Sequence, residues 1–227
     1  MPNQLDTTDG PASASGAAGA AGAAGANRFE RRRARTRQAL IAAARQILAE
    51  TGETSASIQE IAARADVGFG TFYNHFETKN DLFDAAVADA LEEYGQLLDS
   101  VTERIDDPAT VFAASVRLTL RLAASHPEIT QILRLRGLPH INAATGLGPR
   151  ALRDLEIGRA SGRFTFDDPL VALSAVGGAL IGLLQLNSTR DLGAGAGEHM
   201  AEMILRMLGL PADEAHEIAT RPLPDLP

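Results

Sequence analysis

The 227-residue sequence contains no cysteine and no tryptophan, and aromatic residues make up only 4% of it. The lack of cysteine excludes disulfide bonds, thiolate nucleophiles and cysteine-ligated metal sites, and it is in keeping with a reducing cytosol. Hydrophobic residues nevertheless make up 45% of the chain. A core with so few aromatic rings must be built from alanine, leucine, isoleucine and valine packed along helices. With no strand pattern and no internal repeat in the sequence, we predict an all-α fold.

The five histidines are scattered, and no glycine-rich loop follows a predicted strand. No two histidines stand three to five residues apart, the separation at which paired metal ligands are usually found. We therefore expect no enzyme activity, no metal and no cofactor. The histidines are His75, His126, His140, His199 and His216.

The formal net charge of −8 looks unfavourable for binding a polyanion until it is divided along the chain. Residues 28–83 carry nine basic against seven acidic side chains, whereas residues 84–227 carry twelve against twenty. Salt screens charges beyond about 8–10 Å, so a local basic surface can bind phosphate despite an acidic remainder. The charge distribution therefore permits nucleic-acid binding by residues 28–83.

Composition divides the chain into three segments. Residues 1–27 are mainly alanine, glycine and serine, with too few large apolar groups to offset the entropy lost on ordering, so we predict a disordered tail there. That stretch lacks the basic start and the leucine-rich core of a signal peptide. Residues 28–83 are predicted to form a head with a basic arm, and residues 84–227 a larger helical body.

Hydrophobic periodicity predicts three helices in the head, over residues 36–51, 58–64 and 69–76. Ser57 and Glu60 match a capping box at the start of the second helix. A tight turn at residues 66–68 joins the second and third helices. This is the helix-turn-helix geometry that places a recognition helix in the major groove of DNA.

The body is predicted to be helical as well. Proline stands near several of the predicted starts, where its missing N–H costs no hydrogen bond. A loop is expected at residues 137–148, and the whole chain is predicted to contain about nine to ten helices. The predicted body helices begin near residue 79 and continue over 108–125, 126–136, 149–160, 169–187, 197–208 and 211–220.

The segment IAARADVGFGTFYNHF, residues 61–76, is followed directly by ETKNDLF. Together they strongly resemble the TetR family of bacterial transcriptional regulators, whose recognition helix and following turn have the form GxxYxHFxxKxxL. The resemblance implies a cytoplasmic homodimer that binds a palindromic operator in double-stranded DNA, associates with the nucleoid when bound, and is released by a small-molecule effector. A repressor of this kind is the function that we expect.

The resemblance implies that Tyr73, His75 and Lys79 contact DNA phosphates, with Lys79 at the positive end of a helix. Alternatively, Tyr73 and His75 are packing residues. Six arginines crowd residues 28–37, and we interpret them as a DNA-contacting arm rather than as a solvated helix start. The predicted phosphate contacts are Arg33, Arg35, Thr36, Arg37, Ser57, Thr71, Tyr73, His75 and Lys79.

Base reading is assigned to Phe69, Gly70, Thr71 and Asn74 on the exposed face of the third helix. Two positions depart from the family pattern. Asp66 stands where glycine is usual, although aspartate tolerates the left-handed backbone that the turn requires. Phe69 stands where a polar or basic residue is common, which favours thymine-methyl contacts and DNA shape as the basis of sequence choice.

By the same resemblance, the predicted helices at 169–187 and 197–208 form a dimer interface, and the body encloses a pocket for a small apolar effector. Ordinary core packing remains the alternative for each pocket residue. The predicted pocket residues are Phe112, Leu118, Arg121, Leu122, His126, Ile132, Leu133, Asn142, Leu183 and Gln185. The predicted interface residues are Leu173, Val176, Leu180, Leu184, Met200, Met203, Ile204 and Met207.

Two alternatives concern the body. Residues 169–189 carry no charge and include Gly178 and Gly182 in a GxxxG spacing, as a membrane span would. Polar residues at the end of this stretch and the lack of a basic flank favour a buried helix, and we expect no membrane contact. The other alternative is a DNA-binding regulator controlled by a protein partner or by no effector.

Overall fold

The computed structural model describes residues 15–51, 53–125, 130–133 and 143–224. These residues confirm the all-α prediction, since the described ranges contain helices and connecting turns but no strand. Residues 130–133 are helical, as predicted, and the rest of the predicted helix at 126–136 lies outside the described residues. The helices are α1 (Ser15–Thr51), α2 (Ile58–Arg64), α3 (Phe69–Phe72), α4 (Lys79–Thr102), α5 (Pro108–Ser125), α6 (Leu147–Ala160), α7 (Pro169–Asn187), α8 (Ala196–Met207) and α9 (Ala212–Thr220).

Helix α1 is much longer than the sequence pattern predicts. It begins at Ser15 rather than near Thr36, so residues 15–27 belong to a helix and not to a disordered tail. Alanine has the highest intrinsic helix propensity, and extending an existing helix avoids the cost of nucleation. The prediction for residues 1–14 lies outside the described residues.

Hydrogen bonds from side chains fix where two of the head helices begin. The capping box predicted at Ser57 is only half formed, because the Ser57 hydroxyl accepts from the Glu60 N–H at 3.1 Å while the Glu60 carboxylate lies 3.7 Å from Arg64. A complete capping box occurs instead at α4. There the Asp81 N–H donates to the Thr78 hydroxyl at 3.1 Å, and the Thr78 N–H donates to the Asp81 carboxylate at 2.9 Å.

Two main hydrophobic clusters divide the described molecule into a head and a body. The head cluster joins α1, α2, α3 and the first half of α4, and it includes the fully buried Phe72 and Phe83. The body cluster joins α5 to α9. Helix α4 links the two units, because its first half packs in the head while Tyr94 and Leu98 pack against Leu118 of the body. At about 1.5 Å per residue its 24 residues span about 36 Å.

Candidate nucleic-acid interface and ligand cavity

The turn between α2 and α3 holds α3 against the head. Asp66 has a φ of +53°, and it is the only non-glycine residue with positive φ in the described ranges. The left-handed conformation expected where family members have glycine is therefore present. Ile61 and Ala62 of α2 are buried, as is Phe72 of α3, so apolar packing between the helices holds this short helix in place.

The outer face of α3 is open to solvent. Phe69 is 49% exposed and Tyr73 is 54% exposed, and their rings meet edge to face with centroids 5.8 Å apart. Gly70 and Asn74 are exposed, and Thr71 is half-buried. A Cβ atom at Gly70 would have no neighbour within 4 Å. Phe69, Gly70 and Asn74 are thus accessible to a partner and Thr71 is partly so, while their role in base reading stays a prediction.

Several of the predicted phosphate contacts lie next to α3 in the chain or in the fold. Lys79 lies in the first turn of α4, and its Nζ donates to the Ser55 carbonyl oxygen at 3.4 Å. His75 is half-buried at the end of the turn that follows α3. Burial lowers the pKa of His75, and the positive charges of Arg33 and Arg37 lower it further. A neutral His75 donates one ring N–H, which suits a hydrogen bond to a phosphate oxygen.

The arginines near α3 lie on α1. The Arg37 guanidinium stacks over the Phe76 ring, 4.9 Å from its centroid. This contact fixes Arg37 beside the turn that carries His75. Thr36 is half-buried and Arg35 is exposed, and Ser57 is exposed with its hydroxyl engaged in capping α2.

A cavity of about 120 Å³ lies among α4, α5, α6 and α7. Most of its lining is apolar, and a polar end is formed by Asp99, Arg150 and Asp154, with Ser115 and Thr119 nearby on the wall from α5. Its apolar lining includes Leu91, Leu98, Phe112, Val116, Leu133, Leu147, Leu173, Val176, Leu180, Ile181 and Leu184.

Arg150 organises the polar end of the cavity. Its two terminal nitrogens donate to the Glu92 carboxylate, each at 2.8 Å, and its Nε donates to Asp99 at 2.7 Å. The Gly146 N–H also donates to Glu92, at 2.8 Å. These bonds, Arg150 foremost, lower the pKa of Glu92 to about 2, and the bond to Glu92 raises the pKa of Arg150. Both groups are therefore ionised at neutral pH.

Two further groups complete this network. Arg153 donates to Asp99 at 2.9 Å and lies 2.8 Å from Asp154. Burial raises the pKa of Asp154, and the neighbouring Arg153 only partly offsets this rise. Burial also acts to raise the pKa of Asp99, but the bonds from Arg153 and Arg150 outweigh it, so the pKa of Asp99 is lowered. The cavity thus presents two carboxylates with different tendencies to ionise and one guanidinium.

Sequence reasoning missed this polar end. Arg150 and Asp154 have a helical i, i+4 spacing that was visible in the sequence. Asp99, which accepts from Arg150, is 51 residues from it in the chain. Only the packing of α6 against α4 brings the three groups together.

The residues predicted to line a pocket have different surroundings. Phe112 and Leu133 line this cavity, whereas Leu118 packs beside Tyr94 and Ile132 lies in the head cluster. Arg121 and Leu183 line a second cavity, between α5 and the α7–α8 connection, and Gln185 is exposed. The helical period alone cannot show which face of a mostly apolar helix meets a cavity. The Leu122 side chain, His126 and Asn142 lie outside the described residues, so the predictions made for them stay predictions.

The residues predicted for a dimer interface lie mostly inside the chain. Leu173, Val176 and Leu184 are buried, and together with the half-buried Leu180 they line the cavity. Ile204 is buried in the body cluster and Met200 packs against it. Helix α7 is apolar around its whole circumference, so its periodicity does not distinguish the inner from the outer face.

The outer face of α7 and α8 is apolar and exposed. Met203 is 64% exposed and Met207 is 47% exposed, and no atom lies within 4 Å of a Cβ built at Gly178 or Gly182. By length and composition α7 is the one described helix that is apolar enough to cross a membrane. The remaining exposed apolar side chains on α7 are Leu170, Val171 and Leu186.

Family models match two parts of the chain. Residues 40–86 match the model described as bacterial regulatory proteins, tetR family. Residues 107–221, half of the chain, match the model described as the tetracyclin repressor-like C-terminal domain. The first match contains α2, α3 and the start of α4, and the second contains α5 to α9, which include three of the four helices around the cavity.

Individual relatives agree with these models. The HTH-type transcriptional repressor BepR of Brucella suis is 40% identical over 57 residues, which are 25% of this chain and 27% of BepR. The match thus spans about a quarter of that curated relative. The crystal structure of RolR in complex with the ligand resorcinol is 39% identical, with a TM-score of 0.75, and covers 87% of this chain and 100% of RolR.

More distant structures share the fold alone. The regulator FadR from Bacillus subtilis, solved in complex with stearoyl-CoA, is 17% identical with a TM-score of 0.56. The match covers 75% of this chain and 96% of FadR.

Proposed function

Because the chain belongs to the TetR family of bacterial transcriptional regulators, whose members bind DNA, we propose that it is a homodimeric repressor released from a palindromic operator by a small phenolic compound. The observation that carries this proposal is the cavity with one polar end in a body that resembles RolR. A body packed without a cavity would instead favour regulation without an effector.

The size of the cavity limits the effector to a small molecule. An engineered apolar cavity of about 150 Å³ holds benzene, so a volume of about 120 Å³ suits a single aromatic ring. A long acyl chain such as that bound by FadR is too large for it without rearrangement. Since RolR was solved with resorcinol, we take an aromatic diol as the first candidate.

The polar end of the cavity suits hydroxyl groups on such a ring. A phenolic hydroxyl donates to a carboxylate of Asp99 or Asp154 and accepts from the Arg150 guanidinium. The ring lies against the apolar wall formed by residues such as Phe112 and Val176. Recognition by two carboxylates and a guanidinium discriminates against benzene or toluene, because those molecules leave the polar groups unpaired.

The same residues connect the cavity with the DNA-binding head. Glu92 and Asp99, which hold Arg150, lie on α4, and α4 begins with Lys79 at the proposed phosphate-binding surface. Leu133 and Leu184 line the cavity and also belong to the head cluster. A ligand that competes for Asp99 or Arg150 therefore shifts α4. The coupling free energy in such regulators is typically about 1–3 kcal/mol.

Dimerisation supplies the second head that a palindromic operator requires. We assign the interface to the exposed face of α7 and α8, where Gly178 and Gly182 allow a partner helix to approach closely and Met203 and Met207 add apolar area. Cover by a second protomer accounts for the apolar surface of α7 without a membrane. We place the protein in the cytoplasm, on the nucleoid when it is bound to its operator.

Selection of genomic fragments by the purified protein, followed by titration with resorcinol, tests the proposal. We expect selective binding to an inverted repeat and release of that DNA by resorcinol but not by benzene. Asp154→Asn is expected to weaken resorcinol binding at least tenfold while DNA binding persists. Asp106→Asn, an exposed control near the same end of the body, is expected to leave both properties unchanged. Release that is insensitive to Asp154→Asn would contradict the assigned site.

A further inference from the structure

The arginines at residues 28–37, in the middle of α1, fall on two faces of the helix. Successive helical residues are rotated by about 100°, so positions separated by three, four or seven residues share a face. Arg28, Arg31, Arg32 and Arg35 have this spacing, and we call them the arginine stripe. Arg33 and Arg37 lie on the opposite face. The stripe carries no acidic residue, since Glu30 projects from the other side.

The two faces have different surroundings. Arg37 stacks on Phe76, and the positive charges of Arg33 and Arg37 both lower the pKa of His75. This pair of arginines therefore belongs to the surface around α3. The residues of the stripe are exposed on the side of α1 turned away from that surface. Contact with the half-site read by α3 therefore accounts for Arg33 and Arg37 but leaves the stripe unexplained.

We propose that the arginine stripe binds the phosphate backbone of duplex DNA outside the half-site read by α3, and thereby lengthens the footprint of the protein. This inference rests on the proposed DNA-binding function of the head. From Arg28 to Arg35 the stripe extends about 10 Å, and one DNA strand carries a phosphate about every 3.4 Å along the duplex axis. The stripe therefore matches about three consecutive phosphates.

The energetics of the free helix favour a polyanionic partner. Like charges at i, i+3 and i, i+4 destabilise a helix, and the stripe contains such pairs between Arg28 and Arg32 and between Arg32 and Arg35. Phosphates beside the stripe relieve this penalty, because they neutralise the guanidinium groups. Guanidinium also matches phosphate by bidentate hydrogen bonding.

Two DNA lengths and two matched variants test the inference. A fragment selected by the wild-type protein is trimmed to its inverted repeat, and a second duplex adds about 10 base pairs of random sequence on each side, about one helical turn. The stripe variant is Arg28→Gln/Arg32→Gln/Arg35→Gln. The control is Arg33→Gln/Arg37→Gln, which removes charge from the opposite face of the same helix. Affinity is measured by fluorescence anisotropy over a range of salt concentrations.

We expect the wild-type protein to bind the longer duplex several-fold more tightly than the trimmed one, and the stripe variant to lose this gain. The salt slope is the slope of the logarithm of the binding constant against the logarithm of the salt concentration. On the longer duplex its magnitude is expected to be smaller for the stripe variant than for the wild-type protein, by about 0.9 for each phosphate contact removed. The control is expected to weaken binding to both duplexes by the same factor. Equal affinity of the wild-type protein for the two duplexes, or an equal effect of the stripe variant on both, would overturn the inference.

The failure of this inference is separable from failure of the proposed function. Unchanged thermal unfolding midpoints show that the variants remain folded. If the wild-type protein selects no sequence, the repressor function fails, and the stripe is then measured on a random-sequence duplex of about three helical turns. Weaker binding and a smaller salt slope in the stripe variant would still support the phosphate contact. Unchanged binding would show that the stripe makes no such contact.

Discussion

Arg150 on α6 and Glu92 on α4 form a bidentate ion pair, with both terminal nitrogens of the guanidinium 2.8 Å from the carboxylate oxygens. The pair is fixed further by the Gly146 N–H, which donates to the same carboxylate. A bidentate ion pair of this kind is stronger and more directional than a single charged hydrogen bond. It therefore sets the distance between α4, which continues into the head, and α6, which lines the cavity.

This ion pair predicts an acid-sensitive contribution to stability. The folded protein lowers the pKa of Glu92 from its usual 4.5 to about 2, so the contribution is fully present above pH 4.5 and is lost as the pH falls towards 2. We expect Glu92→Gln to lower the free energy of unfolding at pH 7 and to make its decline below pH 4.5 less steep. Urea unfolding followed by circular dichroism at several pH values measures this. Glu103→Gln, at an exposed site just after α4, is the control and should retain the wild-type pH profile.

Gly95 on α4 makes room for Arg150, because a Cβ atom there would lie 2.8 Å from the Arg150 side chain. We expect Gly95→Ala to displace the guanidinium and to weaken resorcinol binding several-fold. Alanine is favoured over glycine within a helix by about 1 kcal/mol, which offsets part of the stability lost with the ion pairs of Arg150, so the unfolding midpoint should fall only modestly. Calorimetric titration and thermal unfolding of the same sample separate the two effects. Gly197→Ala, at a position on α8 where a Cβ atom would meet no atom closer than 3.8 Å, serves as a control outside the cavity. Wild-type ligand affinity in Gly95→Ala would argue against the role assigned to Arg150.

Different substitutions in the head are expected to affect affinity and sequence preference separately. Lys79→Ala and Tyr73→Phe should weaken binding to all sequences by similar factors, and Lys79→Ala should also reduce the salt slope by about 0.9 for a single phosphate contact. Phe69→Ala and Asn74→Ala should instead change the preferred bases, because they lie on the open face of α3. Selection from a randomised duplex library measures both properties. A uniform loss in all four variants would contradict the division between phosphate contact and base reading.

The proposed dimer predicts a strong effect of charge on the outer face of α8. Met203→Glu places a carboxylate in the centre of an apolar contact, where an unpaired charge is costly, so we expect monomers at concentrations at which the wild-type protein is dimeric. Analytical ultracentrifugation measures the shift. Ile157→Glu changes an exposed apolar residue of α6 to the same charge and should leave the oligomeric state unchanged. Dimers in both variants would place the interface elsewhere.

Much of the head was determined by local sequence. The spacing of Ile61, Phe72 and Phe76 sets the buried face of the helix-turn-helix, and Asp66 occupies the left-handed turn position as expected. These features depend on residues within one or two turns of each other, so periodicity and turn chemistry suffice to predict them. The resemblance of the same segment to known regulators added the roles of Tyr73, His75 and Lys79, which stay predictions.

The extent of α1 and the orientation of α7 were decided at longer range. Alanine-rich residues 15–27 lack the apolar groups that normally mark a helix, and they are helical as a continuation of a helix that the head core stabilises. Helix α7 has apolar residues on all sides, so only its packing against α6 shows that Leu173 and Val176 face the cavity and Gly178 faces outward.

The sequence by itself determined an all-helical chain with a helix-turn-helix of the TetR type, because both depend on short repeating patterns. Tertiary structure alone determined which residues line the cavity and form its polar end. Asp99, Arg150 and Asp154 carry no common motif, and they meet only because α4 and α6 pack side by side. A site assembled from distant segments depends on how helices pack, and packing is a property of the whole core rather than of any one segment.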